Sequence, residues 1–469
     1  MAGPDHTSSN PSATGDQTAP VARNEDAPVR MLQVLAGALM IFPSDSVVAA
    51  VGASGFMASL VAMGLFAIYL AAVALGHHDP TQHRNPLRVT LAALWCVSLI
   101  SYALMHLGEL PVEERLSADR WLLLLAAMTG VALVAAEGLL TLQGVRRVVR
   151  VLAWGGAFCG TVAGLQFWLN VDVAATLRLM PGFTAGEDYS AIISRGALNR
   201  VAGTALHPIE LGVVAGMLLP LGIYLGVYDR AQSARRRWAP TVLIAVALPV
   251  SVSRSAVLAL VIALAVLFVL LPPRHRLVGF LLLPFGLVGV FMTTPGLITT
   301  LSSFFAAGGN DPSVATRVDD YPMAFALVAE RPWFGQGGAT FFPETALQIL
   351  DNQYLKSAVE LGIVGLVAVT LYLALPFFLA LSARQRSTDP EMRMLCAALA
   401  AAVAPAMICS FTFDAFSFPM FTLLHALLVG LVGACWSVVR REQTPAEAPR
   451  AVQVMLIRAQ RPTSHRREL

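Results

Sequence analysis

The chain has 469 residues, of which 56% are hydrophobic and only 13% charged, with a formal net charge of +3. Soluble domains carry about 25% charged residues, so a water-soluble multidomain enzyme is excluded. So small and dispersed a positive charge excludes nucleic acid as a partner. Apolar runs near 20 residues match the bilayer core, whereas the strands of outer-membrane barrels alternate over about 10 residues. The composition therefore predicts an all-α polytopic membrane protein.

Residues 1–30, rich in Ser, Pro, Ala, Asn and Asp, read as a disordered tail without a cleavable signal peptide, since the first apolar run starts at Met31. A membrane domain follows over 31–440. Twelve spans are predicted within it: 31–50, 55–76, 88–107, 121–142, 148–169, 206–227, 238–252, 255–272, 277–294, 355–381, 394–411 and 415–438. Residues 441–469 form a polar, basic tail. The five cysteines lie inside apolar stretches without a CxxC pair, so they read as packing residues and not as a disulfide framework or a metal site. Lys356 is the lone lysine beside 31 arginines.

Arginine placement sets the orientation. The loops 77–88, 143–150, 228–238, 272–276 and 382–393 hold fourteen arginines against Asp79, Asp229, Asp389 and Glu391. The alternate loops lack this excess; 108–120 carries four acids against Arg115 and Arg120. Both termini are therefore expected in the cytoplasm of a cytoplasmic-membrane protein. The two long connections, 170–205 and 295–354, are then extracytoplasmic. Internal loops of about a dozen residues cannot form a nucleotide-binding domain, so any chemistry falls on the outer face and needs a pre-activated donor.

Arginines on that outer side break the positive-inside pattern. Arg195 and Arg200 close the first long loop, Arg254 sits between spans seven and eight, and Arg317 lies in the second long loop. An arginine near the membrane core costs about 2.5–3.5 kcal/mol on insertion scales. Either Arg254 snorkels to the interface, or several guanidiniums converge on a phosphate, which their planar fork suits. In the second long loop, Asp311-Pro312-Ser313 starts and Pro332 stops a helix in which Val314, Val318, Tyr321, Phe325 and Val328 recur at helical spacing. That pattern predicts an amphipathic helix lying on the membrane surface. The glycines at 335–338 lack the Lys-Ser/Thr of a phosphate loop and read as a tight turn. Glu137 is expected to reach water at the inner end of span four, Asp414 is a weak site candidate, and Glu360 is expected to orient a neighbour.

Arg200-Val-Ala-Gly-Thr-Ala-Leu-His207-Pro208 before an apolar span is similar to the Arg-x-x-Gly-Thr-x-x-His-Pro segment of the O-antigen ligase and O-antigen polymerase superfamily. Ser253-Arg254-Ser255 resembles that family's next motif. Ser313–Arg317, Arg331-Pro332-Trp333-Phe334-Gly335-Gln336-Gly337, Tyr354-Leu355 and Glu360-Leu361-Gly362 resemble its large external loop, so the likeness covers about 195–375.

The resemblance implies an inverting, metal-independent glycosyltransferase of bacterial cell-envelope polysaccharide biosynthesis, working without a cofactor. Its donor would be a glycan on a polyprenyl diphosphate, such as undecaprenyl diphosphate. Its other partners would be a glycan or lipid acceptor, membrane lipids and further polysaccharide-assembly membrane proteins. Arg200, Arg254 and Arg317 would hold the diphosphate, with Arg254 also stabilising the leaving charge, while Arg195, His207 and Tyr354 complete the substrate-binding set. Many ligases have a histidine just before the Asn-x-Tyr-Leu segment; here that position is Asp351, a carboxylate able to act as base. The other reading of Asp351 is a helix cap for span ten. The competing function is a secondary transporter or flippase for a lipid-linked or anionic substrate, against which stands the absence of inverted repeats of broken helices.

Overall fold

The computed structural model describes residues 19–49, 55–80, 85–108, 111–178, 180–185, 192–195, 198–273, 276–277, 312–342 and 349–443. Its helices are α1 (Ala19–Ile41), α2 (Met57–Ala74), α3 (Leu87–Met105), α4 (Val112–Gly138), α5 (Leu142–Leu169), α6 (Val173–Arg178), α7 (Pro208–Tyr228), α8 (Ala234–Val250), α9 (Arg254–Leu270), α10 (Pro312–Glu330), α11 (Gln353–Arg386), α12 (Pro390–Cys409) and α13 (Pro419–Gln443). Two short antiparallel pairs accompany them, β1 (Ser46–Val48) with β2 (Phe183–Ala185) and β3 (Ile192–Arg195) with β4 (Leu198–Val201). Eight of the described helices are long and apolar enough to cross a bilayer. The protein is an all-α polytopic membrane protein.

Of the twelve predicted spans, 277–294 lies outside the described residues except for Leu277, and each of the others falls on a helix. The first differs most in its bounds. Helix α1 begins at Ala19 and stops at Ile41, before Pro43, and residues 46–48 leave as strand β1 to pair with the long loop, Val47 opposite Thr184. Its early start has a tertiary cause: Pro28 packs against Gly138, and Asp26 pairs with Arg147 at 3.1 Å. Neither contact can be read from local sequence.

Close helix approach through small residues organises the centre. Gly156 and Gly160 of α5 receive α8 at Ile244 and at the Leu243 carbonyl, and Gly222 and Gly226 of α7 receive Thr241 and Trp238 from the other side of α8. At the opposite end of α7, Gly212 and Gly216 lie against Ala256 and Ala259 of α9. A Cβ at Gly212 would come within 2.3 Å of the Ala256 Cβ. Helices α12 and α13, nearly all buried, form the spine of the bundle.

Alternating helices give the molecule two faces. The arginine-rich loops share one of them, and there Arg88 donates to Glu137 at 2.6 Å beside His78, Arg146 pairs with Glu391 at 2.7 Å, and Arg150 pairs with Asp229 at 2.8 Å. Glu137 does not reach water as expected; it is 4% exposed, enclosed by Arg88, His78 and Tyr69. The start of α1 and the end of α13 both lie on this face, Asp26 on Arg147 and Gln443 on the Arg386 carbonyl. The other face gathers the α8–α9 and α12–α13 turns and the described residues of the α1–α2 turn, the 170–207 loop and the 331–352 segment. Helix α10 packs Ala324, with Leu327 and Val328, against Leu350 and Val359. Of its predicted apolar stripe, Tyr321 and Phe325 stack at 6.0 Å and stay exposed.

Candidate functional site

The segment before α7 shows how local chemistry presents the first arginine. Arg200 lies on β4 opposite Ile193 and is buried, at 8% exposure. Gly203 follows at φ 63°, a left-handed turn in which a Cβ would meet the Cys159 carbonyl at 3.0 Å. The Gln166 side chain clamps that turn from both sides, donating to the Gly203 carbonyl at 3.2 Å and accepting its N–H at 2.8 Å. Thr204 donates its hydroxyl to the Met40 carbonyl at 2.7 Å at the end of α1. His207 caps α7, its Nδ1 accepting from the Ile209 N–H at 3.2 Å, and Pro208 takes the first helical position. With Nδ1 occupied as acceptor, the neutral ring carries its proton on Nε2.

Glu210 then joins two helix starts. Its fully buried carboxylate accepts from Leu206 N–H at 2.6 Å and from Phe421 N–H, in the first turn of α13, at 2.9 Å. A negative charge between two helix N-termini is favourably placed. Below this segment, Arg178 bridges Asp45 at 2.7 Å and Asp172 at 2.8 Å, tying the long loop to the α1–α2 turn. Burial pushes the Asp45 carboxyl above the usual range, with Arg178 opposing.

Arg254 begins α9, directly after a strained turn. Val252 sits at φ 44° and is buried, although a β-branched residue rarely adopts that conformation. Such strain persists only where surrounding structure dictates it, commonly at functional sites. The Nε of Arg200 donates to the Ser251 carbonyl at 3.4 Å, so the two arginines share this one turn.

The α12–α13 turn links them to Asp351. Ser255 meets Thr412, hydroxyl to hydroxyl at 3.0 Å, while Gln353 N–H reaches the Ser410 carbonyl at 2.9 Å and its side-chain oxygen accepts from Phe416 N–H at 2.7 Å. Arg254 and Asp351 thus flank residues 410–413 from two sides, and the His207 ring lies 6.1 Å from Phe418 on the same turn. Asn352, not Asp351, caps α11: its side-chain oxygen accepts from Tyr354 N–H at 2.9 Å and Leu355 N–H at 3.3 Å. Tyr354 anchors that start, donating its hydroxyl to the Met407 carbonyl at 2.7 Å with its ring against Phe411. Lys356 reaches Asp414 at 3.3 Å and Ser417 at 2.8 Å.

A backbone-on-backbone dock completes this face. Helix α11 breaks at Gly362, where φ is 70° and ψ −171°, and residues 332–337 lie along the break. Gly337 N–H reaches the Glu360 carbonyl at 2.9 Å, and Ile363 N–H reaches the Pro332 carbonyl at 2.8 Å. Gly335 and Gly362 permit the approach, since a Cβ at either would lie within 2.4 Å of the facing backbone. The Glu360 side chain is buried beside this dock. Gly362→Ala is expected to undock this segment, losing about 1–3 kcal/mol from backbone conformation alone and more from the clash. A lowered melting temperature together with new protease cleavage between 331 and 342 would show it.

Residues 239–370 match the family model described as O-antigen ligase. The protein thus carries an O-antigen ligase domain over these residues. No curated protein matches the chain. The matched stretch takes in most of α8, α9, α10, the docked loop and the first half of α11, and so includes the turn bearing Arg254 and the whole docking break. It leaves out β4, α7 and the α12–α13 turn that complete the site.

Arg200, Arg254, His207 and Asp351 are thus gathered around the α8–α9 and α12–α13 turns. Arg195 closes the β3–β4 hairpin opposite Leu198, and Arg317 lies on α10. Among the described residues, no three His, Cys, Asp or Glu side chains gather as metal ligands. Sequence reasoning missed Lys356 and Glu210 as members of this face. A lone lysine in an arginine-rich chain was the available signal for the first. Glu210 at the third helical position after His207 resembles a capping arrangement and was the signal for the second.

Proposed function

We propose that this protein transfers a glycan from a polyprenyl-diphosphate-linked donor to an acceptor hydroxyl, as a surface-polysaccharide polymerase or ligase. The observation that carries the proposal is the pairing of Arg200 and Arg254 at one strained turn, on the face opposite the arginine-rich loops. Applied to those loops, the positive-inside rule puts them in the cytoplasm and this turn outside. Two guanidiniums there have no part in setting orientation. Their forks suit a diphosphate.

In the proposed reaction the acceptor oxygen attacks the anomeric carbon while Asp351 takes its proton. The bond from that carbon to the diphosphate oxygen breaks, and polyprenyl diphosphate leaves with the electron pair. Arg200 and Arg254, with Arg317 from α10, stabilise the charge that develops. A single displacement inverts the anomeric centre, and no step calls on a metal. Exposed Tyr321, Phe325, Trp333 and Phe411 give this part of the protein apolar surface suited to lipid.

Arg200→Ala is the test. It is expected to abolish elongated surface glycan and to accumulate lipid-linked precursor, at unchanged protein abundance in the membrane. Normal glycan from a normally abundant variant would refute the arginine-held diphosphate.

A further inference from the structure

The arginine-rich face holds a second constellation, far from the α8–α9 turn. Helices α5, α7 and α8 enclose a cavity of about 240 Å³ lined by Arg150, Trp154, Asp229, Arg236 and Arg237. Arg150 is already compensated, because its Nε and Nη2 each donate to Asp229 at 2.8 Å. Two arginines therefore remain in the lining without an acidic partner among the described residues. Arg236 is the exposed one, whereas the Nε of Arg237 is buried and meets no hydrogen-bond acceptor among the described residues.

Loop arginines that only set orientation stand in water, where every N–H finds an acceptor. A buried guanidinium N–H without an acceptor is costly, and the residue that carries it lines the cavity. The surroundings give the depth. Trp154 lines the cavity at 43% exposure, and Trp238, at 39%, lies over Gly226. Indoles of this kind mark headgroup level, and basic pockets between helices on this side suit anionic headgroups.

We propose that this cavity binds a phosphate group, presented by an anionic phospholipid whose headgroup enters between α5 and α8. Arg236 and Arg237 supply the forked donors. The Arg150–Asp229 pair forms the wall, and Trp154 covers the glycerol side. The site is independent of the proposed transfer chemistry on the other face.

The experiment uses the full-length protein, delipidated in an uncharged detergent. Native mass spectrometry and melting temperature follow addition of short-chain phosphatidylglycerol, short-chain phosphatidylcholine or inorganic phosphate. Phosphatidylglycerol is expected to bind about tenfold more tightly than phosphatidylcholine, equivalent to about 1.4 kcal/mol, and to raise the melting temperature. The Arg236→Gln/Arg237→Gln variant is expected to lose this preference; Arg150 is kept so that Asp229 stays paired. Should the double variant not fold, Arg236→Gln alone, at an exposed position, is expected to weaken the preference. Stabilisation by inorganic phosphate, abolished by the same substitution, would support the phosphate site and make its source a soluble one. Equal binding of the two lipids with no effect of phosphate, or a preference that survives the substitutions, would overturn the proposal.

Discussion

Arg254→Lys is expected to leave transfer as impaired as Arg254→Ala does, with both variants losing about 10²–10³-fold in rate, the usual cost of removing one donor aimed at developing charge. Lysine keeps the charge but not the planar fork, and at a diphosphate the fork sets both geometry and strength. The turn makes the comparison informative. Val252, at φ 44°, fixes the direction in which α9 starts, and Arg200 is bonded to the same turn through Ser251. Glycan chain length and yield, measured beside membrane abundance of each variant, check the prediction. Full restoration by lysine would reduce Arg254 to a point charge.

Asp351→Asn is expected to abolish transfer while leaving donor binding and protein level near normal. The two readings of this residue, base or cap, separate on the structure. The α11 cap is made by Asn352, whose side chain takes both Tyr354 and Leu355 N–H groups. Loss of a cap would in any case cost only about 0.5–2 kcal/mol of local stability, and asparagine caps as well as aspartate. A base role instead predicts accumulation of unextended lipid-linked glycan, since asparagine cannot accept the proton. It also predicts that Asp351→Glu retains partial activity if the longer carboxylate still reaches the acceptor. Wild-type chain length in Asp351→Asn would exclude Asp351 as the base.

Much of the fold was legible because it rests on one-dimensional signals. Continuous apolar runs marked the spans, and arginine clusters marked the shared face. Pro332 and the Asp311-Pro312-Ser313 start bounded α10 to within a residue or two. What could not be read depends on contacts distant in sequence. The early start of α1 needs Gly138 and Arg147. The exposed placement of Tyr321 and Phe325 needs α11, because Ala324 is small enough to take the buried position. Glu137 looked solvated until Arg88, His78 and Tyr69 closed around it.

The candidate site shows the same division. Arginines outside the positive-inside pattern are visible in sequence as anomalies, and they lead to Arg200 and Arg254. Residues that hold them in place carry no such anomaly. Gln166 clamps Gly203 from a different helix, and the α12–α13 turn receives Ser255, Gln353 and Lys356 through contacts more than 50 residues apart. The glycine-rich 335–338 turn was recognisable as a turn. Its fit against the Gly362 break was not, since that requires two backbones to meet.

Reconstitution of the purified protein in liposomes containing a lipid-linked oligosaccharide, with a chelator present, separates glycan transfer from transport. Release of one polyprenyl diphosphate is expected for each glycan joined to an acceptor, with the new linkage inverted relative to the donor and with no release by Arg254→Ala. Translocation of the intact donor across the bilayer, without release of diphosphate, would contradict glycan transfer and place the protein among transporters.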